Sequence, residues 1–196
     1  MIKKILLGLV AVIAIILVAA SFQSDDMTVS RSTTIPAAPE AVFKVVNDFR
    51  LWDAWSPWSK LDPNMKKTLE GPPEGVGAIY KWSGNDEVGE GTTSLIASKP
   101  NEEIGMKLQF VRPFAGDADV KFTFAAEGTG TKVTWTMQSK KPFIGKVVGL
   151  FMDCEKMCGD QFNEGLANLA KVVAAPKPTA AIVIPIIQIA PSVAIT

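Results

Sequence analysis

Chemistry in this chain has to be carried by a short roster of side chains, because its 196 residues contain no histidine. That removes the commonest general base, the usual zinc ligand and every serine or cysteine triad built on imidazole. What remains are carboxylates, lysines and arginines, the single Tyr80, and Cys154 with Cys158. The two cysteines stand four apart, the spacing of one helical face, where an intact helix seldom lets sulfurs reach the dihedral of a disulfide. Two thiols without imidazole are also a poor metal site, so both are expected as buried structural thiols, with no metal and no cofactor. The other conspicuous residues are aromatic. Trp52, Trp55 and Trp58 crowd one short run and either plug the end of a core or form a lid over it; Trp82 and Trp135 fall in strand-like segments. Arg112, just past an apolar run, either meets an acidic ligand group or ends a strand in solvent.

These residues have to be positioned by elements legible in the pattern. Met27 to Ile35 is rich in β-branched residues and reads as a first strand, stopped by Pro36. Pro39 suits the first turn of a helix, and Ala41, Val42, Val45, Val46 and Phe49 recur at helical spacing. A second short helix is expected over Leu51 to Trp58. From Lys66 onward, Lys66–Glu70, Ala78–Ser83, Val88–Ala97, Glu103–Val111, Asp117–Ala126 and Thr131–Ser139 read as strands separated by Gly, Pro and Asn turns, an antiparallel meander. Ile104, Met106, Leu108 and Phe110 alternate onto one face, as do Val120, Phe122 and Phe124, then Val133, Trp135 and Met137, so one sheet face is apolar and the other wet. After Pro142 a single long helix is expected from about Phe143 to Val173, with Ile144, Val147, Phe151, Cys154, Cys158, Phe162, Gly165 and Leu169 in one stripe.

One apolar helix face over one apolar sheet face makes an α+β domain, and any ligand space would lie between them. The candidate wall is Trp55, Trp58, Tyr80, Trp82, Leu108, Phe110, Phe122, Phe124, Trp135, Met137, Phe151, Cys154 and Cys158. No pair of carboxylates falls on these inward registers, so no catalytic residue is assigned.

Lys and Arg together balance Asp and Glu at twenty each, so no net field favours nucleic acid as a partner. Lys3 and Lys4 precede an uncharged run from Ile5 to Phe22, which at helical rise reaches about 27 Å, near the thickness of a bilayer core. It is read as a signal anchor over residues 1–24 that holds the following domain outside a bacterial inner membrane. The alternative is a cleaved signal peptide, since Val18, Ala19 and Ala20 form a small-residue site before Ser21. The domain is expected over residues 27–173, followed by a Pro-rich apolar tail over 174–196.

The order strand, two short helices, meander and long C-terminal helix resembles the helix-grip fold of the START-like, or SRPBCC, superfamily. Val29 to Ile35 with Ala38-Pro39-Glu40-Ala41-Val42-Phe43 resembles the opening of its bacterial polyketide cyclase/dehydrase and lipid-transport group. Trp52, Trp55-Ser56-Pro57-Trp58 with Asp62-Pro63, Gly75-Val76-Gly77-Ala78, Gly89-Glu90-Gly91 and Gly130 to Trp135 continue that resemblance. It implies a curved sheet of about seven strands wrapped on the long helix. The resemblance implies a membrane-tethered binder or carrier of a hydrophobic small molecule, or a cyclase-type enzyme; the rival reading is an envelope interaction module with a packed core. Where relatives have a methionine-rich stretch in the long helix, this chain has Cys154 and Cys158.

Overall fold

A computed structural model describes residues 1–175 of the chain; the tail expected over 174–196 lies, from residue 176, outside the described residues. The seven strands are β1 (Asp26–Ile35), β2 (Lys66–Glu70), β3 (Ile79–Ser83), β4 (Glu90–Lys99), β5 (Glu103–Arg112), β6 (Gly116–Glu127) and β7 (Gly130–Lys140). They form one sheet in the order β1-β7-β6-β5-β4-β3-β2, every pairing antiparallel. The meander runs from β2 to β7, and β1 closes its far edge by pairing Asp26 with Lys140 through Ile35 with Thr131. Register shifts at Glu90/Gly91 and Leu95/Ala97 put extra residues into the β4–β5 ladder, and such bulges bend a sheet.

The alternation of the later strands decides which face is buried. Ile104 and Met106, Ala118, Val120, Phe122 and Phe124, and Val133, Trp135 and Met137 all point inward, while the lysines between them reach solvent. Helix α1 (Ile2–Ser21) precedes β1, and α2 (Pro39–Asn47) follows it, burying Val42, Phe43 and Val46 against the sheet. A 3-10 helix (Phe49–Ala54) and α3 (Trp58–Leu61) then cross one end of the sheet. Asp48 joins α2 to the 3-10 helix: its Oδ1 accepts the Arg50 backbone N–H at 2.9 Å and Arg50 Nε at 2.8 Å.

The expected single helix from Phe143 to Val173 is instead two, α4 (Phe143–Val148) and α5 (Cys154–Ala174). Gly149 ends the first, and the Asp153 side chain accepts the Lys156 backbone N–H at 2.9 Å to begin the second. The physical reason is a stop followed by a start: glycine is a weak helix former, and an aspartate four residues on offers an N-cap. Helix α5 buries Phe162, Gly165, Leu166 and Leu169 against the sheet. At Gly165 the approach is too close for a side chain, because a Cβ there would lie 2.8 Å from Trp135 Cζ3.

Helix α1 is exposed along nearly its whole length and is apolar and long enough to cross a membrane. Only Ala20 is buried on it, at the end where α1 packs on α4.

Candidate functional site

A cavity of about 790 Å3 lies between α5 and the concave face of the sheet. Its sheet wall is Tyr80 and Trp82 from β3, Thr93 from β4, Met106, Leu108 and Phe110 from β5, Val120 from β6, and Trp135 and Met137 from β7. Trp52, Trp58, Leu61 and Met65 close one end, while Met152, Cys154, Met157, Cys158, Gln161 and Phe162 supply the helical side. The volume falls within the ~300–1,000 Å3 of small-molecule sites, and the lining is apolar with a few polar groups, as such sites usually are.

Trp135 organises the site. Its ring stacks on Phe162 of α5 with centroids 4.0 Å apart and planes 7° from parallel, which fixes the spacing between helix and sheet. Trp55 and Trp58 meet it edge-on, each with centroids 5.7 Å away, and Phe122 backs it at 4.8 Å. Trp52 donates its indole N–H to the Val46 carbonyl at 2.9 Å, and Trp82 donates to the Val88 carbonyl at 3.0 Å. Two polar atoms on cavity-lining residues are buried without a protein partner, Trp135 Nε1 and Gln161 Oε1.

The titratable groups that burial disturbs here are both held neutral. Burial pushes the Cys158 thiol up to about 11 despite an opposing pull from Arg31, and raises the Tyr80 phenol above its ordinary range. Neither is then an activated nucleophile or base at neutral pH; a thiolate nucleophile needs a lowered value. Two carboxylates reach the lining, Glu87 and Asp160, and both are exposed; Asp160 accepts from Lys156 Nζ at 2.7 Å on the outside of the helix.

Of the residues expected to form the wall, Trp58, Tyr80, Trp82, Leu108, Phe110, Trp135, Met137, Cys154 and Cys158 line the cavity. Trp55, Phe122 and Phe124 do not; they point inward but are packed over and belong to the solid core, with Trp55 only 1% exposed. Phe151 does not either. It lies in the break between α4 and α5 and is 70% exposed, because the stripe that would have carried it inward ends at Gly149. The thiols are not fully buried as expected but half-buried on the cavity side of α5, both free. Arg112 lies outside the lining and spans β4 and β5, pairing with Glu90 at 3.2 Å and donating to the Gly84 carbonyl. Sequence reasoning missed Trp52, Thr93, Met106, Val120 and Gln161 as lining. Met106 and Val120 carry a signal in the sequence: Met106 alternates on the register of Leu108 and Phe110, and Val120 on that of Phe122 and Phe124.

The polyketide cyclase/dehydrase and lipid transport family model matches residues 26–174. The chain belongs to that family. Its helix-grip architecture recurs in solved structures of low identity. Protein CV1439 from Chromobacterium violaceum superimposes with a TM-score of 0.56 at 16% identity, over 76% of this chain and 98% of that one. An uncharacterized protein from Rhizobium leguminosarum gives 0.57 at 15%, over 76% and 94%. The di-domain ARO/CYC BexL from the BE-7585A biosynthetic pathway gives 0.56 at 14%, over 81% of this chain and 53% of that one. No curated protein matches the chain. Membership in the polyketide cyclase/dehydrase family supports a hydrophobic-ligand-binding or cyclase-type role, with α1 compatible with a signal anchor or a membrane span.

Proposed function

We propose that this chain is a membrane-tethered binder that holds a hydrophobic small molecule, lipid-like or polyketide-like, between α5 and the sheet. The cavity carries this reading: about 790 Å3 walled by aromatic and aliphatic side chains, with Tyr80 and Cys158 kept neutral. A packed interaction module would have no need of such a space. The ligand we infer is mostly apolar, since the wall is aromatic and aliphatic apart from a few polar side chains such as Ser56 and Thr93. The wall residues that carry binding are Trp58, Tyr80, Trp82, Leu108, Phe110, Trp135, Met137, Cys154 and Cys158. Residues 27–173 form the binding unit, and α1 within residues 1–24 tethers it on the outer side of a bacterial inner membrane.

Native mass spectrometry of the chain purified from its membranes tests this. A reproducible adduct of a few hundred daltons, released by organic solvent and lost in Leu108→Trp, is the expected result. A chain that is repeatedly empty, and takes up no fluorescent fatty acid, overturns it. A cyclase-type enzyme is the second reading, favoured by Tyr80 and Thr93, register partners on β3 and β4 that both line the cavity. It requires an extracted ligand that the chain converts, and conversion that Tyr80→Phe abolishes.

A further inference from the structure

One apolar surface of the domain is left uncovered, and it lies where α1 joins it. On α4, the following turn and the start of α5, Phe143, Ile144, Phe151, Met152 and Met157 are 48–70% exposed. Isolated exposed apolar residues are ordinary, but a contiguous group of large ones marks a contact surface.

This surface is fastened to α1 on one side. Ala20 of α1 is fully buried, α1 packs on α4, the Lys141 backbone N–H donates to the Asp25 carbonyl at 2.6 Å, and Lys146 pairs with Asp25. At Gly149 a Cβ would lie 3.3 Å from Gln23 Oε1. On its other side the surface is the rim of the cavity: Met152 and Cys154 line both the cavity and the cleft that holds Gln23 and Met27, and Met157 lines the cavity. Only Gln23, Ser24 and Asp25 separate the cap of α1 at Phe22 from β1. Three residues span at most about 10 Å, so a domain hung from a spanning α1 cannot stand clear of the lipid headgroups.

We infer that the surface from Phe143 to Met157 rests in the headgroup region of the same bilayer that α1 crosses, so that the cavity rim opens onto lipid and its ligand passes between bilayer and cavity without entering bulk water. The inference rests on the tether in the proposed function. The occupant is a lipid surface, not an anionic partner, because the cations near this face are matched: Lys146 by Asp25, Arg31 by Glu155 and Lys156 by Asp160, while Lys141 shares its cleft with Asp26 and Asp153. Contact is apolar, as for a face that lies in the interface plane, and zwitterionic lipid suffices for it.

The test uses the full chain in phosphatidylcholine vesicles carrying a photoactivatable phosphatidylcholine, with adducts mapped by peptide mass spectrometry. Adducts are expected within residues 2–22 and again within 143–157. The exposed double substitution Phe151→Asp with Met152→Asp removes the second set and leaves the first, with an unchanged urea midpoint showing that the domain is folded. Adducts confined to residues 2–22 overturn the inference while the tether stands. Protein–protein cross-links through Phe143 to Met157 in place of lipid adducts assign the face to a second copy and also overturn it. Loss of all adducts, with an intact mass beginning near Ser21, overturns the tether and this inference together.

Discussion

Trp135 is the residue on which both the fold and the site depend. It is 3% exposed, stacks on Phe162, and is braced by Trp55, Trp58 and Phe122, yet part of it faces the cavity. Truncating a large aromatic in a core costs about 3–5 kcal/mol, and partial contact with open space lowers that toward the bottom of the range. Trp135→Ala should therefore lower the stability measured by urea unfolding by about 3 kcal/mol and reduce ligand retention as well. A change below about 1 kcal/mol with unaltered ligand retention would show that the ring bears on neither. Trp135→Phe, which keeps a ring to stack on Phe162, should recover most of the stability. The position of this residue was legible from the alternation Val133, Trp135, Met137, which names a face of a strand. Depth was not legible. Phe122 and Phe124 share that face and are packed over instead of lining space, because alternation says which way a side chain points and nothing about what stands above it.

At the scale of elements, the strands were readable because each combines β-branched or aromatic alternation with a turn-former at its end. The helical region was not. Ile144, Val147, Phe151 and Cys154 keep helical spacing straight through the break, so periodicity hides it, and only Gly149 followed by Asp153 marks it. That break turns Phe151 and Met152 outward and shapes the cavity rim. The 3-10 helix over the other end depends on Asp48, which is 5% exposed and accepts three donor groups of Arg50. The Arg50 side-chain hydrogen bond holds the Asp48 carboxyl below its ordinary value of 3.8. Its folded pKa being depressed, the pair stabilises the domain fully above about pH 4, and the contribution disappears as pH falls through the lower folded value. Asp48→Asn should cost about 1 kcal/mol at neutral pH, reduced by the exposure of Arg50. The gap between the two proteins should close on acidification below about pH 4, as urea titrations from pH 7 to pH 2 would show; a gap constant with pH would assign the effect to packing.

For the whole molecule, the question is how α1 relates to the domain it precedes. The core cluster draws on no residue before Met27, and Ala20 is buried outside that cluster, against α4. A chain beginning at Gln23 keeps every core residue together with Asp25 and its tie to Lys146, so its urea stability should match that of the full chain within about 1 kcal/mol. Failure of that version to fold would mean that α1 is part of the domain and not its tether. The shortened chain nevertheless gains exposed surface on α4, next to Phe143 and Ile144, and should bind neutral vesicles weakly, in contrast to the full chain. A helix exposing all its apolar side chains cannot leave lipid cheaply, so the full chain should remain in the membrane pellet through high salt and alkaline carbonate. If α1 is instead removed as a signal peptide, intact mass will begin near Ser21 and the protein will appear in the soluble envelope fraction. That product resembles the shortened chain, so its weak vesicle binding can be read directly against it. Retention in the pellet with an intact N-terminus is the outcome required if the cavity is to exchange its ligand at the membrane surface.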